Sequence, residues 1–234
     1  MTDESMPPPQ PSTASASSDP IVNAFMALLA EKRFEEIGFA EIARRAGVSL
    51  SQLRAKHASK IEILAAQMRA VDCAVLDGID PGMAGEPARE RLFDVLMRRL
   101  DMLASHKAAL RSLQRSMLLN PGLALTLNGL AVRSMQWMLT AADISASGPK
   151  GMMRAQGLAL LFASVLRTWV DDDDPGQART LAALDRAMSS GQRWAGLLDD
   201  LCRIPEAACS ARRTFRRRRR YDDRPEDTAA ASPV

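Results

Sequence analysis

Residues 39–64 constrain the fold of this chain more than any other segment. The segment combines helical periodicity with a residue that can end one helix and a residue that can begin the next. The apolar residues of its first part recur at the spacing of one helical face: Phe39, Ile42, Ala43 and Ala46. Gly47 can take the left-handed conformation that ends a helix, and Ser49 can cap the helix that follows. The segment predicts two short helices joined by a tight turn, with a third helix behind them.

Two helices joined in this way form a helix-turn-helix, whose second helix can enter the major groove of DNA. Gln52 can form a bidentate pair with adenine and Arg54 can pair with guanine, while neighbouring basic and hydroxyl side chains can hold phosphates. The residues that we expect to contact DNA are Arg44, Arg45, Ser49, Ser51, Gln52, Arg54, Lys56, His57 and Lys60. The alternative is a solvated basic face on a helical bundle that does not bind DNA.

Segments 42–49 and 59–64, together with Leu53, resemble the DNA-binding domain of the TetR family of transcriptional regulators. The recognition helix departs from the family pattern, since Ser51, Arg54 and His57 stand where that pattern has Gly, Tyr and Phe. The resemblance implies an all-α protein, in which an N-terminal three-helix helix-turn-helix domain is followed by a helical ligand-binding and dimerisation domain.

The TetR resemblance further implies a ligand-responsive repressor that acts as a homodimer on a double-stranded DNA operator. A small apolar effector in the second domain would change the spacing of the two recognition helices by favouring one arrangement. The side chains that could line its pocket are Met97, Met117, Met135, Trp137, Met138 and Trp169, although at helical spacing they could equally form an ordinary core. The apolar faces expected at the dimer interface include Leu158, Leu161, Leu181 and Leu184.

A second resemblance lies in the C-terminal half, at residues 169–176, Thr180 and 184–186. These are similar to a helix junction of the lipid-binding coenzyme Q biosynthesis proteins, which share the TetR fold. That similarity implies an alternative function: a lipid-binding accessory protein of ubiquinone biosynthesis with a degenerate helix-turn-helix. In that group the last helix touches membrane. Here the apolar face at 194–201 could do so, or could pack in a core or dimer interface.

The chain divides by composition into four segments. Residues 1–18 are rich in Pro, Ser and Ala and are expected to be disordered. Residues 19–77 form the predicted helix-turn-helix domain, and Gly78 to Gly85, with Pro81, mark its end. Helical periodicity then predicts the second domain over 78–204, with helices near 87–103, 106–119, 122–143, 152–170 and 177–201. Residues 205–234 are expected to be a disordered, Arg-rich tail that either adds nonspecific affinity for nucleic acid or lipid, or has no partner.

Composition and motifs argue against several other classes of protein. The three cysteines have neither metal spacing nor an even number, so we expect no disulfide framework, and the start of the chain shows no signal-peptide pattern. We therefore expect a cytoplasmic protein, without stable membrane insertion because the longest apolar run is far too short. No catalytic triad or phosphate loop is recognisable, so we expect no enzymatic activity, no cofactor and no metal. The acidic run at 171–174 is interpreted as an exposed turn before a helix.

Overall fold

The computed structural model describes residues 19–190, and within that range the chain is helical, with no strand. The all-α prediction is confirmed. The helices are α1 Pro20–Glu31, α2 Phe39–Ala46, α3 Leu50–Lys56, α4 Lys60–Asp77, α5 Ala88–Leu103, α6 Lys107–Leu119, α7 Pro121–Ala141, α8 Gly148–Trp169 and α9, which is helical over 178–190. The predicted disordered segments at 1–18 and 205–234, and the apolar face at 194–201, lie outside the described residues.

The helix boundaries follow the capping signals in the sequence. The Asp19 carboxylate accepts the Ile21 N–H at 2.9 Å, and Pro20 takes the first helical position. The Asn120 side chain caps α7 in the same way. Helix α1 ends at Glu31, and a 3-10 turn over Phe34–Glu36 follows it. The helix expected near 152–170 begins earlier, since α8 starts at Gly148.

Two apolar cores hold the helices together. The N-terminal core contains Phe25, Ile42, Leu53 and Ile63, and it also takes Leu113 and Leu127 from α6 and α7. The C-terminal core is built from α5, α7, α8 and α9, around Leu96, Met138, Phe162, Trp169 and Leu184. Helix α4 contributes side chains to both cores. Ile63 and Leu64 lie in the N-terminal core, and Val71 and Val75 lie in the C-terminal core. A domain boundary at residue 77 therefore stays a prediction.

Helix α6 is also tied to the N-terminal helices by two serine hydroxyls. Ser112 Oγ donates to the Lys32 carbonyl at 2.6 Å, and Ser116 Oγ accepts the Phe34 N–H at 3.1 Å. These bonds hold the backbone that follows α1, where the chain has left the regular helix and its polar groups need other partners. The junction between α1 and α6 is therefore fixed on both sides of Arg33.

A charged cluster lies inside the C-terminal core. The Arg99 guanidinium donates to Asp72 Oδ1, which also accepts the Ser134 hydroxyl at 2.6 Å. The same guanidinium lies 5.6 Å from the centroid of the Phe162 ring. All three polar residues are buried. They link α4, α5 and α7, so each charge depends on a partner from another helix.

None of the helices over 19–190 has the length and apolar character needed to cross a membrane.

Candidate nucleic-acid interface

The helix-turn-helix has the local geometry that its sequence predicts. Gly47 adopts φ +68°, the left-handed conformation, and ends α2. The Val48 N–H then donates to the Ala43 carbonyl at 3.0 Å, which closes the turn. Leu53 on α3 and Ile42 on α2 are both buried in the N-terminal core. This anchoring turns the opposite side of α3 outward.

The start of α3 is a reciprocal capping box. Ser49 Oγ accepts the Gln52 N–H at 3.1 Å, and the Ser49 N–H donates to Gln52 Oε1 at 2.8 Å. The hydroxyls of Ser49 and Ser51 are 2.8 Å apart. The oxygen that a bidentate pair with adenine would need already caps the helix in the free protein, so the contact of Gln52 with adenine stays a prediction.

The three arginines of the predicted interface differ in their contacts. Arg45 is paired with Glu31 at 2.7 Å, and this hydrogen bond lowers the pKa of the Glu31 carboxyl. Arg44 and Arg54 are exposed, and neither side chain has a hydrogen-bond or ion-pair partner among the described residues. Arg44 and Arg54 are therefore the unpaired cations of the helix-turn-helix surface.

His57 and Lys56 converge on Asp19, which caps α1. His57 is only 7 % exposed, and its Nε2 lies 3.3 Å from Asp19 Oδ2. Lys56 Nζ lies 3.9 Å from the other carboxylate oxygen and remains mostly exposed. Burial acts to raise the pKa of Asp19, but the Ile21 N–H, His57 and Lys56 together outweigh it and lower the pKa. His57 thus forms a buried contact between α3 and α1, and its role as a phosphate ligand stays a prediction.

Lys60 also contacts its own chain, and its role as a phosphate ligand stays a prediction. Its Nζ donates to the Phe34 carbonyl at 2.7 Å and to the Ile37 carbonyl at 3.0 Å, and it lies 4.4 Å from the centroid of the Phe34 ring. Burial lowers the pKa of Lys60. The ammonium group holds the turn after α1 and does not project freely toward solvent.

Sequence reasoning missed Leu50 as a residue of this surface. Leu50 opens α3 and is 56 % exposed, whereas Leu53, three residues later, is buried. The spacing of the two leucines favours a shared buried face, so periodicity gave no signal for Leu50. Phe39 is a similar case, since the apolar stripe of α2 includes it and the structure leaves it largely exposed.

The structure does not bring the six predicted effector-binding side chains into one pocket. Met135, Met138 and Trp169 are buried in the C-terminal core, and Met97 is packed against that core. Met117 instead packs against the N-terminal core, and Trp137 is 57 % exposed on α7. The apolar pattern of α7 does not show which of its sides faces α8, and a shared effector site for these six residues stays a prediction.

The acidic run at 171–174 serves the start of α9. Asp172 is buried, and its Oδ2 accepts the Thr180 hydroxyl at 2.6 Å and the Thr180 N–H at 2.9 Å. The bond from that hydroxyl lowers the pKa of the Asp172 carboxyl. Over residues 19–190, no group of three or more His, Cys, Asp and Glu side chains is placed to hold a metal ion.

Comparison with known proteins shows the fold. No protein-family profile matches this chain, and no curated protein matches it. A TetR transcriptional regulator from Nitrosomonas europaea is similar in structure, with 23 % identity, a TM-score of 0.59, and coverage of 74 % of this chain and 97 % of that one. Another, from Rhodococcus sp. RHA1, has 22 % identity, a TM-score of 0.50, and coverage of 72 % and 93 %. The chain has the fold of TetR transcriptional regulators, as its helix-turn-helix sequence predicted.

Proposed function

We propose that this protein is a TetR-like transcriptional regulator, in which α2 and α3 bind double-stranded DNA. The observation that carries the proposal is the exposed side of α3, capped at Ser49 and anchored by Leu53, which presents Leu50 and Arg54 to solvent. The similarity to regulators from two bacteria supports the same function. The lipid-binding alternative shares this fold, so DNA binding is what separates the two. A cytoplasmic location is part of the proposal, because the operator is there.

The exposed residues divide into two kinds of DNA contact. Arg54 can pair with guanine, and the apolar Leu50 side chain suits contact with a thymine methyl group. Arg44 and Lys56 suit phosphates, because they are exposed cations on either side of the turn. Arg45 can join them if it exchanges Glu31 for a phosphate. Ser49, Ser51 and Gln52 hold the start of α3 in place.

The DNA proposal predicts different losses for Arg54→Ala and Arg44→Ala. Against a duplex selected from random sequence by the wild type, Arg54→Ala should cost about 1–3 kcal/mol and relax sequence preference at one position. Arg44→Ala should weaken binding to all sequences and lower the slope of log affinity against log salt by about one. Fluorescence anisotropy at several salt concentrations measures both. Arg133→Ala, an exposed arginine on α7, is the matched control, and equal binding by all three variants would contradict the proposed interface.

We propose further that the protein is a homodimer through the outer side of α8 and the start of α9. A stripe at helical spacing on α8 is exposed and contains Met153, Gly157 and Leu160, and Leu181 of α9 is partly exposed. The sequence-predicted interface needs correction, because Leu158 and Leu184 are buried in the C-terminal core of their own chain. A dimer would cover the exposed apolar stripe.

Leu160→Glu is expected to convert the dimer into a folded monomer. Leu160 is 61 % exposed, so a carboxylate there is hydrated in the monomer but desolvated in the dimer. Light scattering coupled to size exclusion measures the mass, and circular dichroism checks that the helices remain. Lys150→Glu, at an exposed position near the start of α8, serves as the charge control. A wild-type protein that is monomeric at micromolar concentration would exclude the dimer.

The effector proposal is that a small apolar molecule enters the C-terminal core near Met135, Met138 and Trp169. Methionine side chains can rearrange around a ligand at low cost, which supports this location. A ligand bound there changes the affinity for DNA only if it binds more tightly to one arrangement of the two helix-turn-helix units in the dimer. The repressor role in this proposal comes from the TetR resemblance.

A further inference from the structure

A cleft with a volume of about 490 Å³ lies between the end of α1 and the outer side of α6. Four cationic side chains line it: Lys32, Arg33, Arg111 and Arg115. None of its lining residues belongs to α2 or α3, although Glu31 and Lys32 of the lining are paired with Arg45 and Glu41 of α2. The proposed regulator function assigns no role to its cationic lining.

The four cations are not equivalent. Lys32 Nζ is paired with Glu41 at 2.5 Å, and Arg111 Nε is bonded to Asp171 at 3.1 Å, so both already have carboxylate partners. The Arg33 and Arg115 guanidinium groups are exposed, and neither has a hydrogen-bond or ion-pair partner among the described residues. Two arginines that are distant in sequence thus face one cleft with all their donors available.

The two acids that line the cleft are not paired with the side chains of these arginines. Glu31 is paired with Arg45, which approaches it from α2. A carboxylate oxygen of Glu36 accepts the backbone N–H of Arg33 at 3.3 Å, which holds that carboxylate at the main chain. The cleft therefore keeps an excess of positive charge where Arg33 and Arg115 lie.

The position of Arg33 is fixed by the helix that carries Arg115. The Lys32 carbonyl and the Phe34 N–H, on either side of Arg33, are bonded to Ser112 and Ser116 of α6. An anion held by both arginines would not have to order this backbone on binding, which lowers the free-energy cost of association.

We propose that Arg33 and Arg115 bind the phosphate group of a small phosphorylated molecule. The planar guanidinium group matches a phosphate with two parallel hydrogen bonds, and two arginines can hold three or four of its oxygen lone pairs. The cleft is larger than an inorganic phosphate, so it can admit an organic part beside Ala30 and Ala108. Inorganic pyrophosphate and a nucleoside diphosphate share this chemistry, and they serve as the two probes.

Isothermal titration calorimetry of the full chain, without DNA, tests the site. We expect pyrophosphate or ADP to bind, and Arg33→Gln and Arg115→Gln each to weaken that binding about tenfold or more, because each removes a charge-assisted pair. Arg133→Gln, on the exposed side of α7, should bind as the wild type does. Tighter binding of ADP than of pyrophosphate would identify an organic phosphate as the ligand class, whereas equal binding would identify the free anion.

Two outcomes would overturn the proposal. One is the absence of binding by either probe, and the other is binding that both glutamine variants leave within about twofold of wild type. The second outcome would place the anion on other arginines, including those at 216–220. The melting temperature without ligand should be unchanged in all variants, since the replaced side chains are exposed. The test contains no DNA, so a failure of the proposed DNA binding would leave its result interpretable.

Discussion

Arg99→Met is expected to destabilise the fold by about 3–5 kcal/mol, because it leaves a buried carboxylate without its counter-charge. Asp72 is 7 % exposed and Arg99 is 4 % exposed. After the substitution, the Ser134 hydroxyl would still donate a hydrogen bond to the Asp72 carboxylate. A loss of this size is a large share of the stability of an ordinary domain. Urea unfolding followed by circular dichroism measures it, at a fixed protein concentration so that any dimerisation contributes equally.

The double variant Asp72→Leu and Arg99→Met separates the buried charge from the lost packing. Removing both charges avoids the uncompensated carboxylate, and apolar replacements of buried ion pairs are often neutral or stabilising. We therefore expect the double variant to be more stable than Arg99→Met alone. Arg133→Met, an exposed position, should change stability by less than about 0.5 kcal/mol. If Arg99→Met cost no more than this control, the pair would not be the buried ionic contact described above.

The helix-turn-helix could be predicted from sequence because its signals are local. Gly47 at positive φ, Ser49 as a cap and Asp19 before Pro20 each act within a few residues. Such interactions depend on the backbone of one turn, so the chain carries them wherever the helix is packed. The TetR resemblance and the all-α fold followed from the same residues.

The roles of individual side chains on that motif could not be predicted, because contacts between distant segments decide them. Lys60 binds carbonyl groups at Phe34 and Ile37, and His57 binds Asp19 from 38 residues away. Nothing in the local pattern distinguishes these two residues from Arg54, which stays exposed. A basic residue near a recognition helix therefore predicts positive charge at that surface, but not a phosphate contact.

The same limit applies to the C-terminal helices, where an apolar residue on a helix has more than one possible neighbour. The pattern of α8 and α9 places Leu158, Leu161, Leu181 and Leu184 at helical spacing, but a helix can bury one side within its own chain and present another. The structure makes this division: Leu158 and Leu184 are buried, Leu161 is half-buried, and Leu181 is partly exposed. The choice depends on how α8 packs against α7, which periodicity does not determine.

Leu184→Glu is consequently expected to unfold the chain and not to release folded monomers. Leu184 is fully buried in the C-terminal core that also contains Trp169 and Met188. Loss of the leucine side chain alone costs about 2–5 kcal/mol. Burial of an unpaired carboxyl adds to this loss. The helical signal of circular dichroism should fall, and the remaining thermal transition should shift strongly downward or lose its cooperativity.

Leu160→Glu is the matched variant, because it places the same charge on the exposed side of α8 and leaves the core unchanged. It should keep the helical signal and a cooperative transition while the molecular mass falls to that of one chain. A folded, monomeric Leu184→Glu with the stability of Leu160→Glu would mean that Leu184 lies between subunits. The burial of Leu184 within a single chain makes the opposite result the expected one, since only the core residue has no hydrated state available without unfolding.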